Sequence, residues 1–337
     1  LKQIGVSQAG QGFPGAVGPG ECARIFTGAP LPDGADAIVI QEDTTAVNEQ
    51  ITVMESAQSG ADVRPAGLDF SVGDILLKTG AVLSARDLGL AAAMNVPWLR
   101  VRRRPRVAIV ATGDEVMMPG DPIGADQIVS SNSIALAAIV RVLGGEPLGL
   151  GIARDTDASL RQVLSGAKGA DVLVTIGGAS VGDYDLVQKV MAEDGLDLNF
   201  YKVAMRPGKP LIFGRWKDIP VLGLPGNPVS AGVTSAIFLR AAINVMLGIG
   251  DGGLGTEKAR LGCDVKANGM RQEFMRATLD TDSEGNLVTT PFDRQDSAMM
   301  ASFASADCLV IRPVDAPSAQ AGDIVEIVRF DTGLSRF

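Results

Sequence analysis

Histidine is missing from all 337 residues. That absence removes Ser-His-Asp and Cys-His nucleophilic catalysis, and it removes His-ligated zinc or iron. Cysteine is nearly as scarce. Cys22, Cys263 and Cys308 are odd in number, scattered and without metal-ligand spacing. They read as buried or incidental thiols in a reducing compartment, so a cytoplasmic setting is expected. Any metal would be held by oxygen, which makes Mg2+ the first expectation. Apolar runs are broken by charge or glycine short of a membrane span, and no signal-peptide pattern opens the chain, so no membrane partner is expected. Positive charge is in deficit, with a net charge of −9, which argues against a general nucleic-acid binder. No Gly-x-Gly-x-x-Gly follows the first α/β strand, and that disfavours a dinucleotide-binding dehydrogenase.

What is present is a globular composition, 46% hydrophobic and 20% charged, in a chain long enough for two or three domains. Residues 1–100 read as a β-rich domain, partial and ending in a linker helix. Short β runs fall at Ala37–Ile40 and Gln50–Met54, a turn with a short strand at Ser71–Lys78, and a helix at Ser84–Met94. The abrupt start at Leu1 leads us to expect an N-terminally truncated piece. Residues 101–250 alternate strand and helix. Strands are expected at Arg106–Ala111, Pro147–Ala153, Ala170–Ile176, Leu198–Val203 and Val221–Leu224. Helices are expected at Ser131–Leu143, Asp157–Ser165, Tyr184–Asp194 and Pro228–Leu247. Such alternation means βαβ crossovers, hence a three-layer α/β/α domain with a mostly parallel sheet. Residues 251–337 return to a β pattern, at Thr256–Asp264, Phe274–Leu279, Val288–Thr290, Ala306–Ile311 and Asp323–Phe330, and are expected to form a small β-barrel-like domain.

In a mostly parallel sheet, ligands sit beyond the carboxyl ends of the strands. The polar turns of residues 101–250 fall there. The most informative is Asp171–Asp185, where the apolar run Val172–Ile176 stops at Gly177-Gly178 and Ser180, Gly182, Asp183 and Asp185 follow. A strand ending at a glycine pair before a helix leaves backbone N–H groups free for an anion, and the aspartates would add a divalent cation. A helix cap with acidic first-turn residues explains the same pattern equally well. Thr112–Glu115 follows the first strand, and Glu115 reads either as a metal ligand or base or as a solvated turn carboxylate. After the second strand come Asp155, with no obvious structural use, and Asp157, placed as a helix N-cap. Lys202, Arg206 and Lys209 cluster around Pro-Gly-x-Pro as a stiff basic loop suited to phosphate or oxyanion. Leu224-Pro225-Gly226-Asn227-Pro228 is a rigid turn that either presents amides to a ligand or simply starts a helix. Acidic groups (Glu115, Asp155, Asp185) beside basic ones (Lys202, Arg206, Lys209) point to a magnesium-dependent enzyme acting on a phosphate-containing molecule.

Six stretches in order carry a more specific signal: Arg24–Pro32, Ala111–Glu115, Gly177–Asp185, Met205–Pro210, Leu224–Ser230 and the Ser297–Phe303 region. Together they resemble the molybdopterin molybdenumtransferase family (MoeA, and the E domain of gephyrin in animals). The resemblance implies insertion of molybdate into adenylylated molybdopterin with release of AMP, by a homodimer with its site near the subunit interface. It implies Glu115, Asp155 and Asp185 on the magnesium and adenylate side, Lys202 and Arg206 on molybdate or the cleaved phosphate, and Thr27 reaching in from the β domain. The strand-end residues Gly177, Gly178, Ser180, Lys209, Pro225 and Gly226 would line the substrate. Arg276 (or Arg271) and Ser297 would contact the pterin phosphate. The family's N-terminal segment with its Asp-Gly-Tyr-Ala motif has no counterpart ahead of Leu1, so altered dimerisation or reduced activity is expected. Two other readings remain: a molybdopterin adenylyltransferase, which resembles residues 101–250 alone, and a non-catalytic gephyrin-like scaffold.

Overall fold

In a computed structural model of the chain, residues 1–178, 186–250 and 253–330 are described. The chain divides into two compact units, Leu1–Leu76 and Leu77–Phe337.

The first unit is a four-stranded sheet of β1 (Lys2–Ser7), β2 (Glu21–Ile25), β3 (Thr44–Val47) and β4 (Gln50–Val53), in the order β2-β1-β4-β3. β1 and β2 run parallel, while β3 and β4 form a hairpin that turns at Asn48, which has φ 55°. The expected strand at Gln50–Met54 is present. Those expected at Ala37–Ile40 and within Ser71–Lys78 are not. Ala-Ile-Val-Ile has strand composition but follows the Pro32-Asp33-Gly34 turn, and its Ile38 amide donates to the Ala61 carbonyl of an irregular loop rather than to a strand. Instead the polar segments Lys2–Ser7 and Glu21–Ile25 pair, because backbone partners rather than side chains make that ladder.

The second unit opens with α1 (Ala85–Ala93), which starts at a capping box: Ser84 Oγ accepts from the Asp87 amide and the Asp87 carboxylate accepts from the Ser84 amide. Then come β5 (Arg106–Thr112), the short pair β6 (Val116–Met117) and β7 (Ile128–Val129), α2 (Ser131–Val142), β8 (Glu146–Ala153), α3 (Asp157–Leu164), β9 (Val172–Ile176) and α4 (Leu186–Glu193). They are followed by β10 (Leu196–Lys202), β11 (Met205–Arg206), β12 (Pro210–Trp216) and β13 (Ile219–Leu224). The six-stranded sheet has the order β10-β12-β13-β9-β5-β8. β12 runs antiparallel between β10 and β13, and the other five strands point one way. Thr156, not Asp157, caps α3, its hydroxyl accepting from the Ser159 amide, so Asp157 is a first-turn acid.

Strand alternation fills both faces of this sheet. Val107, Ile109, Val172, Val174 and Leu224 pack on Leu136, Val140, Leu239 and Ile243. Ala108, Val110, Leu173 and Val221 pack on Leu160, Leu164, Val187, Val190 and Met191. Each fully buried leucine or valine contributes about 1.5–3 kcal/mol relative to exposure, and both faces are used, as the three-layer expectation requires. The expected helix Pro228–Leu247 is continuous but not uniform: α5 (Pro228–Thr234), a π-helical turn at Ser235–Leu239 and α6 (Arg240–Leu247). At 20 residues with mean hydropathy 1.5, it is long and apolar enough to cross a membrane, contrary to the expectation that no apolar stretch would be. Val229, Val233, Leu239 and Ile243 are buried at 0% exposure, which makes it a core helix.

The remaining strands are β14 (Glu257–Leu261), β15 (Gln272–Thr281), β16 (Leu287–Pro291), β17 (Cys308–Arg312) and β18 (Ile324–Arg329), with α7 (Met300–Ala304) between β16 and β17. They pair in the order β15-β16-β14-β18-β17, and β17 pairs back onto β15, closing a five-stranded barrel. Cys308, Val310, Val325 and Ile327 fill its interior. Phe274, Leu309, Ile311 and Val328 face outward onto Val229, Val233 and Ile237 of the long helix. β11, which lies between two strands of the α/β sheet in sequence, pairs with β15 and so extends the barrel's sheet.

Candidate active site at the carboxyl edge of the central sheet

β5 is followed in the chain by β8 on one side and then by β9 on the other, so the strand order reverses between β5 and β9. Crevices at such reversals are where open α/β sheets bind ligands. The register puts Thr112 opposite Ala153, Ala111 opposite Ile176, and Leu224 opposite Ile176. Thr112–Glu115, Arg154–Asp155, Gly177–Gly178 and Pro225–Asn227 therefore emerge side by side. Lys202 ends β10 opposite Pro210, the first residue of antiparallel β12, so the basic hairpin leaves the same edge.

The acidic turns are joined directly. The Gly113 amide donates to the Ala153 carbonyl at 3.2 Å, the Asp155 amide donates to Asp114 Oδ1 at 3.2 Å, and Arg154 Nη1 donates to the Asp114 carbonyl at 2.9 Å. Asp114, which the sequence did not single out, thus ties the two turns together and leaves Glu115 and Asp155 exposed on adjoining loops. The third expected carboxylate, Asp185, and Ser180 lie outside the described residues. Among the described residues no group of three carboxylate or cysteine side chains converges as a metal site. The chemistry of the donors present, carboxylate and carbonyl oxygen, suits a hard cation.

In the middle of the edge, Thr112 Oγ1 donates to the Ile176 carbonyl and the Gly177 amide donates to the Leu224 carbonyl. Gly178 has φ 64°, and a Cβ there would sit 2.5 Å from Val187 Cγ2, so only glycine lets this turn lie against α4. Pro225 is buried and Gly226 is exposed, and the Gly226 carbonyl accepts from Asn132 Nδ2 at 2.6 Å. Asn227 does not cap α5 with its side chain. Its Nδ2 donates to Ser297 Oγ at 2.9 Å, and the Val229 amide donates to the Ser297 carbonyl. Ser297 is thereby held at the sheet edge from the barrel's β16–β17 connection.

The basic side is less uniform than its sequence suggests. Lys202 is exposed, its Nζ over the Tyr201 ring at 4.5 Å and donating to the Tyr201 hydroxyl, and this holds the phenol pKa below its usual value. Lys209 is exposed, while its carbonyl accepts from the Val203 amide. Gly208, φ 105°, would place a Cβ 2.5 Å from Thr234, so the hairpin tip packs on α5. Arg206 is ion-paired to Glu273 of β15 at 3.2 Å. Thr27 lies exposed in the turn after β2 of the first unit.

Arg276 is where expectation and structure part. It is 1% exposed, with its guanidinium spent on protein: Nη1 donates to the Met299 carbonyl, Nη2 to the Arg294 carbonyl and Nε to Gln295 Oε1. Burial lowers its pKa, and Asp296 opposes that shift. A phosphate would have to displace these partners, so Arg276 instead braces the loop 292–299 that carries Ser297. Arg271, the alternative for that contact, is exposed. The alternation in Phe274-Met275-Arg276 puts Arg276 on the same outward, covered side of the barrel as Phe274, a signal in the sequence that its charge obscured.

With this geometry in place, the comparisons with known proteins are direct. Residues 2–95 match the MoeA N-terminal region (domain I and II), residues 108–244 a probable molybdopterin binding domain, and residues 258–330 the MoeA C-terminal region (domain IV). A molybdopterin molybdenumtransferase of Haemophilus influenzae is 30% identical over 98% of this chain and 82% of its own length. The chain belongs to the molybdopterin molybdenumtransferase family. Molybdopterin molybdenumtransferase 2 of Mycobacterium tuberculosis is 35% identical over 90% of this chain and 76% of its own. A relative from a Nostoc species is 40% identical over 69% of this chain, which spans 55% of that protein. A crystal structure of a molybdopterin biosynthesis MoeA protein from Pyrococcus horikosii superposes with TM-score 0.83 and 33% identity, covering 100% of this chain and 82% of that one.

Proposed function

We propose that this member of the family is a transferase that inserts molybdenum into molybdopterin, taking molybdate and adenylylated molybdopterin and releasing AMP. The observation that carries the reading is the ordering of one sheet edge. Linked carboxylate turns stand at β5 and β8, glycine and proline turns at β9 and β13, and a three-cation hairpin at β10–β12. From β5 to β10 is four strand spacings, on the order of 19 Å, a span suited to a substrate with a phosphoanhydride between two larger ends.

Cleaving a phosphoanhydride needs positioning and charge neutralisation more than covalent assistance, and a site without histidine is adequate for that. Glu115, Asp155 and, from outside the described residues, Asp185 would hold Mg2+ on the adenylate side, where its charge would offset that of the phosphates. Lys202, Arg206 and Lys209 would bind molybdate and the phosphate being released. Gly177, Gly178, Pro225 and Gly226 would line the middle, with the amides of Gly178 and Gly226 toward the ligand, and Ser180 would contribute from outside the described residues. Ser297 and Arg271 would meet the pterin end. A homodimer acting in the cytoplasm completes the reading.

The test is AMP release from adenylylated molybdopterin as a function of molybdate. Asp185→Asn and Glu115→Gln are expected to abolish molybdate-dependent release while the far-ultraviolet circular dichroism is unchanged. Full turnover in both variants would remove the carboxylates from the mechanism. ATP consumption without molybdate would instead favour the adenylyltransferase reading, which the β regions flanking residues 108–244 make the weaker one.

A further inference from the structure

We propose that Glu273, on the barrel, is the positioning residue of Arg206: it holds the guanidinium over the carboxyl edge so that the remaining N–H groups meet an incoming tetrahedral oxyanion. The proposal rests on the reading of Arg206 as an oxyanion ligand. Four observations support it. Arg206 Nη1 lies 3.2 Å from Glu273 Oε1, with side-chain exposures of 56% and 16%, so the carboxylate is the fixed member and the cation the presented one. The two residues are register partners in the parallel pairing of β11 with β15, as are Met205 and Gln272, and the Gln272 amide donates to the Ala204 carbonyl at 2.9 Å. Met205 is itself buried in the cluster between helix and barrel, which anchors the backbone one residue from the guanidinium. Of the three hairpin cations, only Arg206 has a carboxylate partner among the described residues.

The physical benefit is pre-organisation. A guanidinium carries five N–H donors in a rigid fork, and one contact to Glu273 leaves the Nη2 and Nε hydrogens for a ligand. A long side chain ordered before binding loses less freedom when the anion arrives. Lys202 stands on the same hairpin without such a partner and serves as a compact point charge. The pairing also explains why a two-residue strand of the α/β region is hydrogen-bonded to the barrel rather than to its own sheet: the barrel supplies the reference against which the cation is aimed.

A calorimetric titration with sodium molybdate on the whole chain tests this, using wild type, Arg206→Ala, Glu273→Gln, Glu273→Asp and the Arg206→Ala/Glu273→Gln double variant. Thermal unfolding of each is followed in parallel. Glu273→Gln is expected to weaken molybdate binding about tenfold, within the range for coupled charged neighbours. Glu273→Asp should recover part of that loss, and Glu273→Gln should add nothing once Arg206 is alanine. Wild-type affinity in Glu273→Gln, or losses that multiply in the double variant, would overturn the proposal. So would a lowered unfolding temperature with molybdate affinity intact, which is the signature of a purely structural clamp. A wild type that gives the expected binding pattern but makes no cofactor sinks the functional reading and leaves the positioning role standing. A wild type that does not bind molybdate overturns both.

Discussion

The two β regions of this chain solve the same packing problem in opposite ways. The sheet of residues 1–76 is open, and of its residues only Ser7 and Pro32 are buried. None of the four hydrophobic clusters found among the described residues draws on it, and Val47, Met54 and Val72 are largely solvent-exposed. The C-terminal region closes its sheet into a barrel, with one cluster inside and another against the long helix. Closure removes the edges and gives every strand two sides to pack. The difference teaches that site geometry is delegated to the closed region. Ser297 and Glu273 come from the barrel and are fixed by hydrogen bonds or ion pairs to the α/β body, whereas Thr27 sits on an exposed turn of the open sheet.

The contrast can be broken by experiment. Leu309→Ala, at a position of 0% exposure in β17, should cost about 3 kcal/mol in urea unfolding. A loss no larger than that of a surface residue would mean the barrel core is not what holds the region together. Arg276→Met keeps the side chain's bulk but strands the carbonyls of Arg294 and Met299, and about 2 kcal/mol is expected. Lysine at the same position should not restore stability, because it cannot serve three acceptors in a plane.

In the open sheet the corresponding numbers shrink. Ser7 Oγ donates to the Pro30 carbonyl at 2.7 Å and is fully buried, so Ser7→Ala should cost about 1 kcal/mol in the same assay. Val47→Ala, at 71% exposure, should fall within about 0.5 kcal/mol of wild type. If Val47→Ala proved as damaging as Leu309→Ala, the open sheet would have a core of its own and the contrast would fail.

Periodicity carried most of this architecture. Arg106–Ala111, Pro147–Ala153 and Ser131–Leu143 lie within one or two residues of their observed bounds, because buried parallel strands and their crossover helices leave strong patterns. Pro210–Trp216 was not legible: it opens on the last proline of Pro-Gly-Lys-Pro, reads as the continuation of a loop, and reveals itself only through antiparallel pairing with β10 and β13. Lys2–Ser7 was hidden for the opposite reason, since its side chains are mostly polar and its ladder is backbone alone. At the site, the residue types and their strand-end placement were readable, and Glu115, Asp155, Lys202 and Arg206 do share one edge. The ties among them were not. Asp114, Asn132, Asn227 and Glu273 act through partners from 41 to 94 positions away, and Arg276 looks like a surface charge until a loop folds over it.

The two-residue strand Met205–Arg206 has a consequence for anyone cutting this molecule apart. Because it hydrogen-bonds to the barrel's sheet and not to the sheet on either side of it in sequence, the α/β layer has no clean seam. A fragment of residues 77–249 would keep its leucine and valine interior and still present its cationic hairpin slack, which makes carrying the barrel along, rather than trimming it, the sensible way to build chimeras.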